Sequence, residues 1–142
     1  MSKRGPIIVF EEDALETSVL KEAFSDLRLP NAIYTFDKEE KVVKYLYETK
    51  ENPFLIISDI GDHLINGLEL RRKINEDDFL RRKSIPFIFL TDVKSPKAVA
   101  EAYEMSVQGY FIKQNTIADL KKHLKRIVDY WASCLHPNVE EN

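Results

Sequence analysis

The sequence predicts an α/β protein built on a single doubly wound sheet of five parallel strands, with helices on both faces. Two observations support this fold class. Short apolar runs, such as residues 7–10 and 54–57, are typical of strands that are buried on both faces. Stretches with apolar residues at helical spacing separate these runs, and the strict alternation of strand and helix indicates parallel strands joined by right-handed crossovers.

The first predicted strand, residues 7–10, is followed by apolar residues at helical spacing from Leu15 onward. Pro30 breaks that helix, because proline lacks the N–H that a helix interior needs. A short second strand covers residues 32–36. The helix after it is predicted to begin at Asp37, because an aspartate followed by a glutamate three residues later resembles a capping box.

The central strand, residues 54–57, runs directly into Asp59, and turn residues lead from there to Asn66 and Gly67. A third helix is predicted to begin after this pair. The charged segment 75–84 is interpreted as an extension or a frayed end of that helix. Asp59 therefore lies where a buried strand emerges at its carboxyl end.

The fourth strand is predicted at residues 85–90 and the fifth at residues 109–112. Between them, the Ser-Pro pair at residues 95–96 favours a helix start, since serine can cap and proline suits the first helical position. The last helix opens near Thr116, and the polar residues around it can cap its first turn. Five strand-helix units result.

Composition indicates an ordinary globular protein, since 44% of the 142 residues are hydrophobic and 32% are charged. We expect one domain over residues 1–142, with a core over about residues 6–135 and a polar, mobile tail over residues 136–142. The single cysteine, Cys134, excludes an internal disulfide and a thiolate zinc cluster. Because no signal-like or membrane-spanning segment is found, a cytoplasmic protein without membrane contact is expected.

Several polar and aromatic residues have a purely structural interpretation. The formal net charge of −3 gives no general attraction to nucleic acid. The basic runs 71–73 and 81–83 are therefore interpreted as helix faces in contact with water. The remaining residues of this kind are Asp13 as a helix cap, His63, His123 and His136 as surface residues, and Trp131 as a core residue.

Polar side chains follow the ends of four predicted strands. In the flavodoxin-like strand order 2-1-3-4-5, these four strands lie side by side, and ligands bind at their carboxyl ends. We therefore expect the residues that follow them to converge in one shallow cleft. These residues are Glu11, Glu12, Asp59, Thr91 and Lys113.

Carboxylates that are brought together repel each other unless they share a proton or bind a cation. Mg²⁺ is the natural ligand here, because it takes oxygen atoms from one or two carboxylates together with waters and phosphate. Lys113, the Thr91 hydroxyl and backbone N–H groups at a helix start would complete a site for a phosphoryl group. Asp59 could then attack phosphorus and form an aspartyl phosphate.

Five motifs in this order carry a family resemblance that spans residues 7–135. The motifs are the acids Glu11, Glu12 and Asp13, the acid Asp59 with Asn66 and Gly67, the hydroxyl of Thr91 before Asp92, the aromatic Tyr110, and Lys113. They resemble those of the receiver domain of two-component response regulators, the CheY-like family, in which Asp59 would be the acceptor and Tyr110 the switch aromatic.

The resemblance implies phosphoryl transfer to Asp59 from a sensor histidine kinase or a phosphotransfer protein, with Mg²⁺ as cofactor. It also implies that the metal is held by Glu12, Asp59 and the backbone carbonyl of Gly61, with Glu11 acting through water. Lys113 would pair with the phosphoryl oxygens.

By the same resemblance, Thr91 moves to bond a phosphoryl oxygen and Tyr110 then rotates inward. This movement would alter the face made by the fourth helix, the fifth strand and the fifth helix, where a downstream protein would bind. A new charge of nearly two units is physically able to bias such a two-state surface.

Some positions depart from the family pattern. Glu11 and Glu12 are both glutamates, where the family usually has at least one aspartate, and Mg²⁺ tolerates little geometric error. Gln114 replaces the proline after the lysine, which removes the usual reason for a cis peptide bond. His63 stands where proline is common, and Asp62 is interpreted as solvated.

The first interpretation is a stand-alone receiver. We expect no output domain or DNA-binding domain, so its effect would pass through a separate protein. It would be an enzyme only in that its site promotes its own phosphorylation and hydrolysis. The alternative is a degenerate receiver that binds proteins constitutively without phosphorylation. A phosphate-releasing enzyme using Asp59 is a third interpretation, and a flavin carrier is disfavoured because acidic strand ends would repel its phosphate.

Overall fold

The computed structural model describes residues 2–61 and 66–138, and its five strands form one parallel sheet in the order β2-β1-β3-β4-β5. The predicted fold class and strand order are confirmed. Asp62, His63 and residues 139–142 lie outside the described residues, and so do the predictions made for them. The strands are β1 (Ile7–Phe10), β2 (Ile33–Phe36), β3 (Leu55–Ser58), β4 (Phe87–Thr91) and β5 (Gly109–Ile112).

Three helices begin where the sequence predicts a cap. The side chains of Asp13, Ser95 and Thr116 each accept a hydrogen bond from the backbone N–H three residues later. The capping box predicted at Asp37 is wrong, because the helix starts two residues later and Asp37 instead pairs with Lys41 at 3.0 Å. The helices are α1 (Ala14–Leu27), α2 (Glu39–Glu48), α3 (Asn66–Glu76), α4 (Asp78–Arg82), α5 (Pro96–Glu104) and α6 (Ile117–Ser133), with a 3₁₀ turn at Ser2–Arg4.

The charged segment after α3 forms the separate short helix α4 rather than an extension of α3. The Asp77 side chain accepts a hydrogen bond from the N–H of Leu80 at 3.0 Å, and Leu80 is buried. A cap and one apolar anchor are thus enough to start a new helix in a charged segment. The strict alternation is therefore interrupted once, and the predicted fourth and fifth helices correspond to α5 and α6.

Two apolar layers enclose the sheet, as the doubly wound fold requires. Successive side chains of a strand point to opposite faces. In β4, Phe87 and Phe89 join the layer that packs against α2, α3, α4 and α5, whereas Ile88 and Leu90 join the layer that packs against α1 and α6. Trp131 packs against the second layer, which confirms its predicted place in the core.

Arg71 is buried, so the prediction that it faces water is wrong. Its side chain crosses from α3 to the end of α5, where Nε donates to the carbonyl of Met105 at 3.0 Å and Nη2 donates to that of Ser106 at 2.9 Å. The guanidinium also lies 5.2 Å from the centre of the Phe87 ring. The last carbonyls of a helix have no partners within the helix, and Arg71 supplies donors to them.

His136 is likewise buried, with 2% of its surface exposed, and the prediction of a surface residue in a mobile tail is wrong for it. Its Nδ1 accepts a hydrogen bond from the N–H of Asn138 at 3.1 Å, so Nε2 carries the proton and donates to the carbonyl of Phe54 at 2.8 Å. Asn138 in turn donates to the carbonyl of Lys83. Residues 136–138 are therefore hydrogen-bonded to the backbone at Phe54, just before β3, and at Lys83.

His123 also departs from the predicted surface position. Its ring is half-buried and meets Phe111 edge-on, with 5.7 Å between the ring centres. Across residues 2–61 and 66–138, no helix combines the length and the apolar character needed to cross a membrane.

Candidate functional site

The register of the parallel strands brings the predicted site residues to one edge of the sheet. Phe10 pairs with Ser58, so Glu11 and Asp59 follow at the same level, and the N–H of Asp59 donates to the carbonyl of Phe10 at 3.0 Å. On the other side, the N–H of Lys113 donates to the carbonyl of Thr91 at 3.0 Å. The pairing of the strands therefore positions these side chains at the carboxyl edge of the sheet, and no long loop is needed to position them.

These strand ends and the loops after them enclose an open cleft of about 440 Å³. Acidic residues predominate in its lining, as the sequence predicts. The lining residues are Glu11, Glu12, Asp13, Glu16, Asp59, Gly61, Asn66, Thr91, Asp92 and Val93.

Lys113 lies at the centre of an ion-pair cluster. Its Nζ is 2.8 Å from Oε1 of Glu11, 2.5 Å from Oε2 of Glu16 and 3.5 Å from Oδ2 of Asp59. Burial alone would lower the pKa of Lys113, but hydrogen bonds to Glu11 and Glu16 outweigh it and raise this pKa above its usual value. The ammonium therefore stays charged. The Lys113–Gln114 peptide bond is trans.

Glu11 is almost completely buried beside this ammonium. Burial raises its pKa to about 7, against the opposing effect of its hydrogen bond with Lys113, and the charge of Asp59 raises the pKa further. Its second oxygen accepts a hydrogen bond from the N–H of Asp13 at 3.2 Å. Burial and the charge of Asp59 thus oppose ionisation of Glu11, whereas the Lys113 ammonium favours it.

Glu12 occupies a different part of the cleft from its neighbour in the chain. Its side chain is exposed, and its Oε2 accepts a hydrogen bond from Nδ2 of Asn66 at 2.7 Å. Its Oε1 comes so close to Gly61 that a Cβ there would lie only 2.8 Å away, and Gly61 has a φ of +94°. Glycine is therefore favoured at this position on both grounds.

Gly67 allows the start of α3 to pack directly on the backbone that carries Asp59. A Cβ at this position would lie 2.0 Å from the carbonyl oxygen of Asp59 and 2.7 Å from Cα of Ile60. The N–H of Gly67 donates to the carbonyl of Ile60 at 3.0 Å. The Asn66 and Gly67 pair of the predicted motif thus has two separate roles: a contact with Glu12 and close backbone packing.

Thr91 and Tyr110 both contact Val93 in the loop that precedes α5. Thr91 is completely buried, and its Oγ1 accepts a hydrogen bond from the N–H of Val93 at 3.3 Å. The Tyr110 hydroxyl donates to the carbonyl of Val93 at 2.6 Å, and its ring packs against Phe89. Burial and the charge of Asp59 raise the pKa of Tyr110 to about 12, so the hydroxyl keeps its proton.

Glu16 is the site residue that sequence reasoning missed. It lies in the first turn of α1, and its backbone N–H is held by the Asp13 cap at 2.9 Å. Helical side chains tilt toward the amino end of their helix, so an acid in this turn is directed toward the same edge of the sheet. That geometry, applied to the predicted Asp13 cap, would have identified Glu16.

The acids fit a hard divalent cation. Carboxylate oxygens of Glu11, Glu16 and Asp59 all lie within 4.8 Å of one another, and oxygen is the donor that Mg²⁺ and Mn²⁺ prefer. One ammonium faces these three carboxylates, so the cluster favours additional positive charge.

Comparison with known proteins identifies the family. Residues 7–125 match the family model of the response regulator receiver domain. The chain belongs to this family. This receiver is 26% identical over 129 residues to the probable methanogenesis regulatory protein FilR2 of Methanothrix harundinacea, and the match covers 88% of the chain and 82% of that protein.

Solved structures of response regulators share the fold of this receiver. The phosphorylated cyanobacterial phytochrome response regulator RcpA superposes with a TM-score of 0.77 at 23% identity, covering 90% of this chain and 94% of that one. The Mn²⁺-bound form of response regulator Rcp1 gives a TM-score of 0.73 at 20% identity, covering 96% and 99%. The family resemblance seen in the sequence motifs is confirmed.

Proposed function

We propose that this receiver accepts a phosphoryl group on Asp59 from a histidine kinase or a phosphotransfer protein, with Mg²⁺ as cofactor. The observation that carries the proposal is the ammonium of Lys113 at 3.5 Å from Oδ2 of Asp59. Asp59 and Thr91 both line the acidic cleft. A carboxylate nucleophile, a fixed cation and a hydroxyl are the groups that a phosphoryl acceptor needs.

In the proposed reaction, a carboxylate oxygen of Asp59 attacks the phosphorus of a phosphohistidine. The P–O bond forms as the P–N bond breaks, and the imidazole leaves with a proton from solvent. Lys113 balances the charge on the phosphoryl oxygens, and the Thr91 hydroxyl donates to one of them.

Glu12, Asp59 and the carbonyl of Gly61 would hold the metal, with Glu11 acting through water. Bound Mg²⁺ would neutralise charge between these acids and the phosphoryl oxygens. The cluster of Glu11, Glu16 and Asp59 supports a cation close to Asp59, although Glu12 is not part of that cluster. Mn²⁺ is bound by the structurally similar Rcp1.

The proposed output is a change at Val93. Thr91 gives up its 3.3 Å contact with the Val93 N–H when its hydroxyl turns to the phosphoryl group. Tyr110 already reaches the Val93 carbonyl, so we expect phosphorylation to fix this loop in a new position together with the face made by α5, β5 and α6. A downstream protein would bind that face.

We further propose that residues 1–142 act as one receiver domain in the cytoplasm and signal through a separate protein. The match to 94% of the RcpA chain supports a single-receiver arrangement.

The test is phosphorylation by phosphoramidate in the presence of Mg²⁺, followed by intact-mass measurement. The wild type is expected to gain one base-labile phosphoryl group and Asp59→Asn none. Asp129→Asn, an exposed acid of α6, is the matched control and is expected to behave as the wild type. Equal phosphorylation of the wild type and Asp59→Asn would contradict the proposal.

One observation favours the alternative of a constitutive binding module. Lys113 is already surrounded by three carboxylates, so the cleft is stable without a phosphoryl group. A wild type that gains no phosphoryl group under these conditions, yet remains folded, would support the alternative.

A further inference from the structure

Lys113 has three N–H donors, and each faces a carboxylate in the structure. Two hydrogen bonds run to Glu11 and Glu16, and the third carboxylate, Asp59, lies 3.5 Å away. A phosphoryl group on Asp59 would require at least one of these donors for its own oxygens. The donor that faces Asp59 is available to the phosphoryl group, but a second hydrogen bond to its oxygens requires Lys113 to release Glu11 or Glu16.

The two hydrogen-bonded partners differ in how easily they can be released. The Glu11 side chain is 2% exposed and the Glu16 side chain is 39% exposed. A carboxylate that leaves its cation inside the protein stays unpaired and poorly solvated, whereas one at the surface is hydrated. Glu16 is thus the partner whose release is easiest.

We propose that Glu16 is a positioning residue that occupies Lys113 in the unphosphorylated receiver and must leave it before Lys113 donates a second hydrogen bond to the phosphoryl group. This inference rests on the proposed function of Asp59 as the acceptor. Glu16 would keep Lys113 in its unphosphorylated position, and it would lower both the rate of phosphorylation and the affinity for a phosphoryl mimic.

The position of Glu16 in the fold is suited to this role. Its backbone is fixed in the first turn of α1 by the Asp13 cap, so only its side chain has to move. After release, the carboxylate remains beside the amino end of α1, where the helix dipole stabilises negative charge. The residue therefore has two acceptable positions: on Lys113 and in water.

The negative charge of Glu16 opposes phosphoryl binding, as its hydrogen bond with Lys113 does. The oxygens of Glu11, Glu16 and Asp59 lie within 4.8 Å of one another, and a phosphoryl group would bring further negative charge to this point. Removal of the Glu16 charge should therefore favour phosphoryl binding both by freeing a donor and by reducing repulsion.

The test compares Glu16→Gln with the wild type, using beryllofluoride with Mg²⁺ as a phosphoryl mimic and phosphoramidate as donor. We expect Glu16→Gln to bind the mimic about five- to tenfold more tightly and to be phosphorylated faster by a similar factor, as for a partly exposed charged hydrogen bond. Glu16→Met, which keeps the side-chain length and favours helix, should give the same direction.

Glu22→Gln is the matched control, because Glu22 is an exposed glutamate of the same helix. It should leave both measurements unchanged. The ammonium protons of Lys113, followed by NMR, provide a second readout, because a contact that persists after phosphoryl binding would affect their exchange both before and after the mimic is added. They should exchange with solvent faster in Glu16→Gln than in the wild type before the mimic is added, and equally slowly afterwards.

Three outcomes would overturn the inference. If the wild type and Glu16→Gln are phosphorylated equally well and bind the mimic equally, Glu16 has no such role, although Asp59 remains the acceptor. If Glu16→Gln instead weakens Mn²⁺ binding about tenfold in the absence of the mimic, Glu16 is a metal ligand. If no variant is phosphorylated or binds the mimic, the proposed function fails and the inference fails with it.

Discussion

Two cations, the partly buried Lys113 and the buried Arg71, lie in different parts of the molecule and have partners of different kinds. Lys113 contacts carboxylates of three side chains, whereas Arg71 donates to two backbone carbonyls at the end of α5. Hydrogen bonds to acids raise the pKa of Lys113, and burial lowers the pKa of Arg71 to about 10. Lys113 can exchange a side-chain carboxylate for a phosphoryl group, because a side chain can rotate away. The backbone carbonyls bound by Arg71 are fixed by the fold. We therefore assign Lys113 a role in switching and Arg71 a structural role.

Lys113→Met gives the largest expected effect on function and tests the functional half of this comparison. Loss of the ammonium removes the charge that would stabilise the phosphoryl oxygens, and we expect phosphorylation by phosphoramidate to slow by about 100-fold or more. The measurement is the initial rate by intact mass, with Lys125→Met as the control because Lys125 is exposed on α6. A rate within a few-fold of the wild type would show that Lys113 is structural, as Arg71 is.

Arg71→Met tests the structural role of Arg71. It removes two charge-assisted hydrogen bonds to the end of α5, and we expect the free energy of unfolding to fall by about 2 kcal/mol. The phosphorylation rate of the folded protein should change little. Urea denaturation measures the loss.

Arg72→Met is the matched control for Arg71→Met, because Arg72 is the next residue of α3 and its ion pair among the described residues is an exposed one with Glu69. It should change the free energy of unfolding by about 0.5 kcal/mol or less. Equal effects of the two substitutions would contradict the assigned role of Arg71.

The smallest predicted effect concerns pH and the buried His136. Burial lowers its pKa below the ordinary value of about 6.5, and it outweighs the hydrogen bond to the Phe54 carbonyl, which raises the pKa. As the pH falls, His136 is therefore protonated in the unfolded chain at a higher pH than in the folded protein. The stabilisation from His136 is complete above pH of about 6.5 and is lost as the pH falls through its lowered pKa.

Urea denaturation of the wild type and His136→Gln at several pH values measures this effect. The stability difference between the two proteins should shrink as the pH is lowered below about 6.5. A difference that stays constant with pH would show that His136 does not titrate on unfolding.

The sequence was sufficient for the sheet and for most of the cleft, for a physical reason. Buried parallel strands are short apolar runs, and the residues after them must meet at one edge, which brings Glu11, Asp59, Thr91 and Lys113 together. No tertiary information beyond the strand order is required for that step.

The errors have different causes, two of them local and one long-range. Arg71 was predicted to be solvent-exposed because it begins a run of basic residues. It stands four residues after the buried Gly67 and three before the buried Ile74, a spacing that puts it on the buried face of α3. The partner of His136 is a carbonyl 82 residues away, which no local pattern indicates. Glu16 was missed because a first-turn acid is also what an ordinary helix start prefers.

The two ends of α5 are held in different ways. Arg71 and Asn75 both donate to the Met105 carbonyl at its carboxyl end, at 3.0 and 2.8 Å, while Tyr110 and Thr91 reach the loop before its amino end only through Val93. If phosphorylation displaces Val93 as proposed, we expect the first turn of α5 to move further than its last turn, which Arg71 and Asn75 hold at Met105.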